Sequence, residues 1–271
     1  MKKSVLITGT SSGIGRAAVH AFSQKGWQVA ATMRDPTKGQ ELAQLPNVRV
    51  LALDVTQPDT IRAALAAAQQ AFGRLDVVVN NAGYGLDGVF EAMDDAVIQR
   101  QFDTNVFGLM RVTREAIRIM RPQGGGTIVQ VASMGGRLAF PLYSIYHATK
   151  WAVEGFTESL HYEVRDFGIR LKLIEPGAIK TEFYGSSRQL VKPTDTDAYQ
   201  EFVEKVEKVS MDTGAQGADP AVVAKTILKA AQDQSGKMRY PVGSPAPMLL
   251  RLKRLLPETA FFGLVRSSYK I

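Results

Sequence analysis

The stretch VLITGTSSGIGRAAVHAF, from Val5 to Phe22, passes from an apolar strand through a glycine-rich turn straight into a helix that begins near Ile14. Glycine lets a backbone turn tightly and approach a ligand without a Cβ in the way. The helix N-terminus offers unpaired N–H groups and a positive dipole end, which suit a pyrophosphate. The spacing, G-x-x-x-G-x-G, differs from the more common G-x-G-x-x-G. After the first strand of a parallel sheet, such a turn favours nucleotide binding over a merely tight connection. The turn residues that we predict to contact a nucleotide are Gly9, Ser11, Ser12, Gly13, Ile14 and Gly15.

Downstream of this turn, short apolar runs bounded by Gly, Asp, Asn or Pro alternate with longer segments of helical spacing. Strands that are apolar throughout and alternate with helices indicate a parallel sheet covered on both faces. We therefore predict an α/β fold, with one doubly wound, Rossmann-like parallel sheet in three α/β/α layers. Ligand sites of such sheets lie at the carboxyl ends of the strands. The predicted strands are Ser4–Ile7, Val29–Met33, Val48–Leu53, Val77–Val79, Thr127–Val131 and Leu171–Ile174, and the clearest helices are Ile61–Phe72 and Val106–Met120.

The composition excludes several classes of site. The chain has 271 residues and no cysteine, which rules out disulfides, a thiolate nucleophile and a Cys-based metal site. Its three histidines show no pairing with carboxylates, so we predict no metal. The net charge is +7, but segment 237–271 holds seven basic residues and one acid, so the remainder is almost neutral and no nucleic-acid partner is predicted. No apolar stretch reaches about 18 residues, so we predict no transmembrane segment. A cytoplasmic location fits best.

The end of the second strand bears on which nucleotide is bound. In a dinucleotide fold, an acid at this point accepts a hydrogen bond from the free 2′-hydroxyl of NAD. This chain has Met33 there, followed by Arg34, whose fork suits a 2′-phosphate. Ser11 is a second potential donor. We therefore predict NADP rather than NAD, although Asp35 follows directly and a solvated Arg34 without a role is the alternative. Asp54 and Val55, past the third strand, are further predicted cofactor contacts, with a turn role competing for Asp54.

Six motifs occur in a fixed order: TGTSSGIG (Thr8–Gly15), NNAG (Asn80–Gly83), TNVFG with Asn105, VASMGG with Ser133, YHATK (Tyr146–Lys150) and EPGAIKT (Glu175–Thr181). Together they resemble the short-chain dehydrogenase/reductase family over about residues 3–183. Within that family, ATMRD and SIYHATKWAVEGFTESL look most like the hydroxysteroid and retinol dehydrogenase branch. The resemblance implies an NAD(P)-dependent oxidoreductase that acts on CH–OH or C=O groups and assembles into homodimers or homotetramers.

The resemblance also implies residue roles. Tyr146 is the general acid/base at the substrate oxygen, and Ser133 orients that oxygen. Lys150 contacts the nicotinamide ribose and lowers the pKa of Tyr146, while Asn105 fixes a water that links Lys150 to solvent. The implied catalytic set is Asn105, Ser133, Tyr146 and Lys150. The implied cofactor contacts, besides Tyr146 and Lys150, are Asn81, Ala82 and Gly83 on the adenosine-ribose side and Pro176, Gly177, Ile179 and Thr181 at the nicotinamide end.

The spacing of Tyr146 and Lys150 supports these roles independently. Residues four apart on a helix project from one face, so the two side chains can share one small site. A nearby lysine cation, helped by the positively charged nicotinamide ring, stabilises phenolate and draws the tyrosine pKa towards neutrality, where a general acid/base works best. The alternative is a packed ring beside a solvated amine. His147 is next to Tyr146, but a helical neighbour points about 100° away, so we predict a structural role.

Mostly apolar loops after the strands predict a hydrophobic ketone, aldehyde or secondary alcohol as substrate, steroid-, retinoid- or lipid-like. The alternatives are a nucleotide-sugar epimerase or dehydratase, which also uses a Tyr-x-x-x-Lys pair, and a non-catalytic nucleotide-sensing protein. The residues expected in the substrate wall are Tyr84, Leu86, Val89, Phe90, Met134, Leu138, Phe140, Leu142, Phe183, Tyr184, Leu190 and Tyr199.

We divide the chain into an NADP-binding catalytic domain over residues 1–245 and a basic, apolar extension over residues 246–271. Segment 185–217 is polar and poorly periodic, which predicts an inserted lid. Asp219–Pro220 suits the start of a late helix over Ala221–Asp233, and Lys237–Gly243 suits a last strand. Three interpretations of the extension stay open: a wall over the substrate pocket, a subunit contact, and a weak contact with an anionic membrane surface. The leucines expected on one helical face of the extension are Leu249, Leu252, Leu255 and Leu256.

Overall fold

A computed structural model of the chain describes residues 2–185, 187–192 and 197–271. In this part of the chain, seven parallel strands form one sheet in the order β3-β2-β1-β4-β6-β7-β9. The strands of this sheet are β1 (Ser4–Thr8), β2 (Gln28–Met33), β3 (Val48–Ala52), β4 (Val77–Asn80), β6 (Gly126–Val131), β7 (Ile169–Pro176) and β9 (Arg239–Val242). The predicted doubly wound α/β fold is therefore confirmed.

Helices cover both faces of the sheet. The helices are α1 (Gly13–Gln24), α2 (Gln40–Ala43), α3 (Pro58–Phe72), α4 (Asp95–Phe102), α5 (Leu109–Met120), α6 (Ser144–Val164), α7 (Gln200–Ala215), α8 (Pro220–Gln232), α9 (Ala246–Leu255) and α10 (Glu258–Tyr269). Successive residues of a strand point to opposite faces. Accordingly, Val5 and Ile7 pack against α1 and α8, while Leu6 packs against α3 and α5. All three are fully buried, which explains why the strands are apolar at every position.

The topology places a cleft between β1 and β4. The chain winds outwards from β1 to β3 and then returns to form β4 on the other side of β1. Residues Val5–Ile7 pair with Val77–Val79 in parallel register. The loops that leave the carboxyl ends of these two strands therefore diverge, and a ligand site is expected at such a switch point.

The predicted lid contains regular structure that the sequence analysis did not foresee. Strand β8 (Arg188–Val191) pairs in parallel with β5 (Gly85–Gly88) in a separate two-stranded sheet, and α7 follows. The buried face of α7 packs Val203 and Val206 against Val89 and Leu142. Positions 186 and 193–196 of the lid lie outside the described residues.

The last residues form two helices, α9 and α10, that fold back onto the body of the protein. Ala246 and Leu250 of α9 and Phe261 and Val265 of α10 pack with Leu138 in one apolar cluster. The predicted leucine face is partly wrong, because the buried leucine is Leu250, whereas the side chain of Leu255 is 77% exposed at the end of α9. Among the described residues, no helix is both long and apolar enough to span a bilayer.

Candidate active site

A cleft of about 1430 Å³ opens at the carboxyl ends of the central strands. One end of it is formed by the glycine turn after β1, and the other by the lid and the two C-terminal helices. Because its walls come from loops after β1, β2, β3, β4, β6 and β7, the sheet order fixes the relative positions of all these groups.

Two glycines of the first turn are required by close backbone contacts. Gly9 has φ +69°, and a Cβ there would lie 2.8 Å from Cα of Ala82. A Cβ on Gly15 would lie 2.1 Å from the carbonyl oxygen of Gly9, which is closer than any real contact. The Asn81 amide donates to the carbonyl oxygens of Thr8 and Gly9, both at 2.9 Å, and so ties the turn to the neighbouring strand. The start of α1 thus faces the cleft over a backbone cradle that fits a pyrophosphate.

The charged residues that follow β2 and β3 differ in whether they are already hydrogen-bonded within the protein. Arg34 is exposed, lines the cleft and, within the described part of the chain, makes no hydrogen bond or ion pair. The Asp35 carboxylate is engaged in a local turn, accepting from the Thr37 amide at 3.0 Å and from its hydroxyl at 2.6 Å. Asp54 Oδ1 accepts from Thr56 in the same way, so the turn role weighed for Asp54 is present. Arg34 is therefore the charged group that this strand end offers to a ligand.

A π-helical segment, Asp103–Gly108, joins α4 to α5 and carries Asn105. The Asn105 carboxamide accepts from the Tyr84 amide at 3.1 Å and donates to the Tyr84 carbonyl oxygen at 3.0 Å. It also donates to the Thr149 hydroxyl at 3.3 Å. Isolated π segments are rare in helices and frequently occur at functional sites. The arrangement fixes the loop after β4 against the start of α6.

Helix α6 begins at Ser144 and brings Tyr146 and Lys150 to the cleft. The Lys150 ammonium lies 5.8 Å from the centre of the Tyr146 ring and donates to the Val131 carbonyl oxygen at 3.0 Å. Ser133, at the start of the loop after β6, accepts from the Gly135 amide at 3.0 Å, which fixes its side chain. Its hydroxyl is close enough to Tyr146 to act on the phenol. Helix α6 and the end of β6 thus converge on one polar site.

Burial controls the protonation of this site. It raises the pKa of Tyr146 well above its ordinary value, and hydrogen bonding from Ser133 acts in the opposite direction. Burial also lowers the pKa of Lys150 to about 8, with the charge of Glu154 opposing the shift. The protein alone therefore raises the phenol pKa rather than drawing it towards neutrality. The lowering expected from Lys150 together with the positively charged nicotinamide ring stays a prediction.

His147 ties together two points of the segment that joins β6 to α6. Its Nε2 accepts from the Phe140 amide at 3.0 Å, so Nδ1 carries the proton and donates to the Gly135 carbonyl oxygen at 2.9 Å. Burial lowers the pKa of His147 to about 4, and the ring is neutral at physiological pH. These contacts fit the structural role expected for it.

The sequence comparisons agree with this geometry. Residues 3–191 match the family model described as short chain dehydrogenase. The chain belongs to the short-chain dehydrogenase family. It is 34% identical to the uncharacterized oxidoreductase YusZ of Bacillus subtilis over 275 residues, and this alignment covers 98% of each chain. It is 30% identical over 268 residues to a 3-ketodihydrosphingosine reductase of Bacteroides thetaiotaomicron, again over 98% of each chain.

Two solved structures extend the comparison. A short-chain dehydrogenase from Streptomyces avermitilis superposes with a TM-score of 0.82 and 33% identity, over 99% of this chain and 95% of that one. ElxO, solved with NADP bound, superposes with a TM-score of 0.72 and 27% identity, over 89% of this chain and 98% of that one. The present short-chain dehydrogenase is thus an oxidoreductase that uses a nicotinamide cofactor, and the epimerase and nucleotide-sensing alternatives are not favoured.

The cleft of this short-chain dehydrogenase brings most of the predicted site residues together. Asn105 and Gly15 do not line it, because Asn105 lies behind Tyr84 and Gly83 while Gly15 packs against the backbone of Gly9. The predicted residues that do line the cleft are Gly9, Ser11, Ser12, Gly13, Ile14, Arg34, Asp54, Val55, Asn81, Ala82, Gly83, Ser133, Tyr146, Lys150, Pro176, Gly177, Ile179 and Thr181.

The predicted substrate wall is correct for five residues only. The five that line the cleft are Tyr84, Met134, Phe140, Phe183 and Tyr184. Leu86, Val89, Leu138 and Leu142 are buried in apolar clusters instead, while Phe90 is 59% exposed. Neither Leu190 nor Tyr199 lines the cleft. Residues of the cleft that were not predicted from the sequence include Tyr143, Arg188, Val209, Ser210, Met248, Leu264, Val265 and Tyr269. Tyr143 alone had a local signal, because it precedes Tyr146 by three residues.

The lowered pKa of Lys150 makes the stability of the protein depend on pH. Between pH 8 and 10 the unfolded chain keeps the lysine proton, whereas the native state has lost it, so the free energy of unfolding rises with pH. We expect Lys150→Met to remove this contribution, which is at most about 1.4 kcal/mol per pH unit. Urea unfolding of both proteins from pH 7 to 10 measures it. Parallel stability curves for the two proteins would contradict the lowered pKa.

Proposed function

We propose that the protein is an NADP-dependent reductase of hydrophobic ketones or aldehydes, which also oxidises the corresponding alcohols in reverse. The observation that carries the proposal is the convergence of Tyr146, Ser133 and Lys150 on one cleft that the glycine turn also borders. The name of the 3-ketodihydrosphingosine reductase, a relative with 30% identity, supports a ketone attached to an apolar body.

In the proposed mechanism, Ser133 and Tyr146 bind the substrate oxygen and fix the carbonyl group. When bound, NADPH supplies the hydride. Tyr146 donates its proton to the substrate oxygen as negative charge develops there. The phenol is protonated at neutral pH before the reaction, and this is the form that donates a proton to a ketone oxygen. The Lys150 ammonium, 5.8 Å from the centre of the Tyr146 ring, stabilises the phenolate left behind.

Asn105 is proposed to act through its position rather than by touching the substrate. It holds the loop of Tyr84 and bonds Thr149, which directly precedes Lys150. The carboxamide oxygen of Asn105 also lies 3.0 Å from the place where a Cβ on Gly83 would be. Substitution of Asn105 would thus disturb the floor of the cleft, and its implied link to water near Lys150 stays a proposal.

The preference for NADP is proposed on the basis of Arg34. An exposed guanidinium without a protein partner suits a 2′-phosphate, while Asp35 is held by Thr37 in its own turn. We expect Arg34→Ala to lower the ratio of kcat/KM with NADPH to that with NADH by about 10-fold to 100-fold, since a charge-assisted hydrogen bond contributes about 1.5–3 kcal/mol. Arg165→Ala, remote from the cleft, is the matched control. A ratio unchanged by Arg34→Ala would argue against this role.

The function is tested by purifying the protein, identifying any nucleotide that copurifies, and following NADPH oxidation with a panel of ketones and aldehydes. Turnover of apolar ketones with NADPH supports the proposal. Failure to oxidise NADPH or NADH with any carbonyl compound, and to reduce NADP or NAD with the matching alcohols, would refute it.

We also propose that residues 246–271 act as a wall of the substrate cleft, with residues 1–245 as the catalytic domain and 185–217 as a lid. Met248, Leu249 and Leu264 of the extension line the cleft. A homodimer or homotetramer is proposed as well, because Phe107 and Trp151 are 42% and 51% exposed on the helical layer that includes α5 and α6. Light scattering after gel filtration tests the assembly, and cell fractionation tests the proposed cytoplasmic location.

A further inference from the structure

Several hydroxyl groups besides those of Tyr146 and Ser133 line the cleft, and four of them interact with one another. They belong to Tyr143, Tyr184, Ser210 and Tyr269, all of which line the cleft. We call these four residues the hydroxyl cluster. Each comes from a different part of the chain: the residue before α6, the loop after β7, the middle of α7 and the end of α10. None of them belongs to the catalytic set.

The hydroxyl cluster lies one aromatic ring away from the catalytic phenol. The ring of Tyr143 is 6.1 Å from that of Tyr146, and the two ring planes meet at 67°. Phe183 lies 5.2 Å from Tyr146 on another side, and Tyr184 follows at 5.3 Å from Phe183. When one oxygen of a ligand contacts Tyr146, the adjoining part of the ligand therefore contacts aromatic rings. The part farther from Tyr146 contacts the hydroxyl cluster.

Ser210 connects the members of the cluster. The buried face of α7 is formed by Val203, Val206, Ser210 and Gly214, so a hydroxyl takes an apolar position where this face meets the cleft. Ser210 is only 5% exposed, and its hydroxyl acts as a hydrogen-bond partner of both Tyr143 and Tyr269. A buried hydroxyl in an apolar stripe costs free energy unless it is hydrogen-bonded. Its position indicates that polar atoms are required at this place.

The ring of Tyr184 is placed by a glycine on the same helix. A Cβ on Gly214 would lie 2.5 Å from Cγ of Tyr184, so the absence of a side chain lets the ring rest directly on α7. Burial raises the pKa of Tyr184 to about 12 and also raises the pKa values of Tyr143 and Tyr269. All three phenols are therefore neutral at physiological pH and available as hydrogen-bond donors.

The charges behind the cluster balance one another. Asp87 is 1% exposed and accepts from Arg188 Nε at 2.9 and 3.0 Å. Arg188 Nη1 and Lys192 Nζ each lie 3.6 Å from a carboxylate oxygen of Glu207, so two cations face two carboxylates. The four charges thus balance, and their field does not favour an anionic ligand next to Tyr143. The cluster suits an uncharged oxygen group.

We propose that the hydroxyl cluster binds a second, uncharged oxygen of the substrate, which is then a carbonyl compound with an apolar body and a distal hydroxyl or keto group. The inference rests on the proposed function, which places the reacting carbonyl at Tyr146 and Ser133. It sharpens the substrate class from any hydrophobic ketone to one with two separated oxygen functions. A carboxylate at the distal position is disfavoured by the balanced charges of Asp87 and Arg188.

The test compares 1-tetralone, 6-hydroxy-1-tetralone and 6-carboxy-1-tetralone as substrates with NADPH. We expect the hydroxy compound to have a KM about 5-fold to 10-fold lower than the parent, since a neutral hydrogen bond contributes about 1 kcal/mol, and the carboxy compound to show no such gain. Tyr269→Phe and Ser210→Ala should each abolish the difference in KM between the hydroxy and parent compounds. Tyr162→Phe, at a residue 75% exposed and remote from the cleft, is the matched control.

Equal KM values for the hydroxy and parent compounds in the wild-type enzyme, a preference for the carboxy compound, or a hydroxyl preference that survives in both variants would overturn the inference. Thermal unfolding of each variant shows whether it is folded. Calorimetric titration of the NADPH-loaded protein with the same ketones separates the two proposals. Selective binding of the hydroxy compound without turnover contradicts only the proposed function, whereas turnover without selectivity contradicts only the hydroxyl cluster.

Discussion

Replacing Tyr146 by phenylalanine should lower kcat/KM for ketone reduction by about 10²-fold to 10⁴-fold, the usual contribution of a positioned general acid. The substitution removes one oxygen and keeps the ring, which packs 6.1 Å from Tyr143 and 5.2 Å from Phe183. Nucleotide affinity and thermal stability should therefore change little. Steady-state kinetics with NADPH and a ketone that the wild-type enzyme reduces measure the effect.

Tyr162→Phe is the control for this substitution, because Tyr162 lies on the same helix and is 75% exposed. It should retain wild-type activity. Ser133→Ala should reduce kcat/KM as well, since Ser133 is the other hydroxyl at the proposed oxygen site and acts on the Tyr146 phenol. Full turnover by Tyr146→Phe would show that the proton comes from elsewhere and that the proposed mechanism is wrong.

Gly15→Ala should abolish nucleotide binding and strongly destabilise the fold. The new methyl carbon would lie 2.1 Å from the Gly9 carbonyl oxygen and 2.5 Å from Nδ2 of Asn81. Neither partner can move easily, because Gly9 is part of a tight turn and Asn81 holds that turn at 2.9 Å. We expect a loss of at least about 2–3 kcal/mol in the free energy of unfolding, as for other overpacked sites. Urea denaturation and fluorescence titration with NADPH measure the two effects.

Gly263→Ala provides the contrast within the same protein. Gly263 is a helical glycine of α10, and a Cβ there meets no atom within 4 Å. This substitution should stabilise the protein by about 0.5–1 kcal/mol, because alanine favours the helix, and should leave NADPH binding unchanged. A comparable loss in both variants would mean that the effect of Gly15→Ala is a general consequence of adding a methyl group and not of the crowded turn.

The strands of the central sheet were predictable because the signal for each strand lies in its own residues. Strands buried on both faces need apolar residues at every position. The run Val5–Ile7 therefore predicts the first strand, even though the strands that pair with it are not known from the sequence. The small β5–β8 sheet has no such signal. Its strands are four residues long, and β5 contains the buried Asp87, whose burial is possible only because Arg188, 101 residues later, reaches it. A contact between distant segments leaves no local pattern.

The same distinction separates the two ends of the cleft. The cofactor end and the Tyr146 site come from short motifs with fixed spacing, and their residues were named from the sequence. The substrate end is assembled from α7, α9 and α10, and its composition depends on how these helices dock. Leu138 is an example. It lies a few residues after Ser133, where a residue of the substrate wall is expected, but the C-terminal helices cover it. Helix α7 was not predicted. Val203 and Val206 have helical spacing, but the residues around them are mostly polar, so the apolar periodicity is weak.

The π segment that carries Asn105 has a further consequence for the winding of the helix formed by α4, the segment and α5. Five buried positions of this helix lie four residues apart: Val97, Gln101, Asn105, Leu109 and Thr113. In a regular helix, positions four apart advance by about 40° beyond a full turn, so these five would drift by about 160° around the axis. The wider turn of Asp103–Gly108 absorbs part of that drift and keeps one face buried along the whole length. The residue count between Val97 and Thr113 is therefore under geometric constraint: deletion of a single residue would rotate α5 out of phase with the sheet.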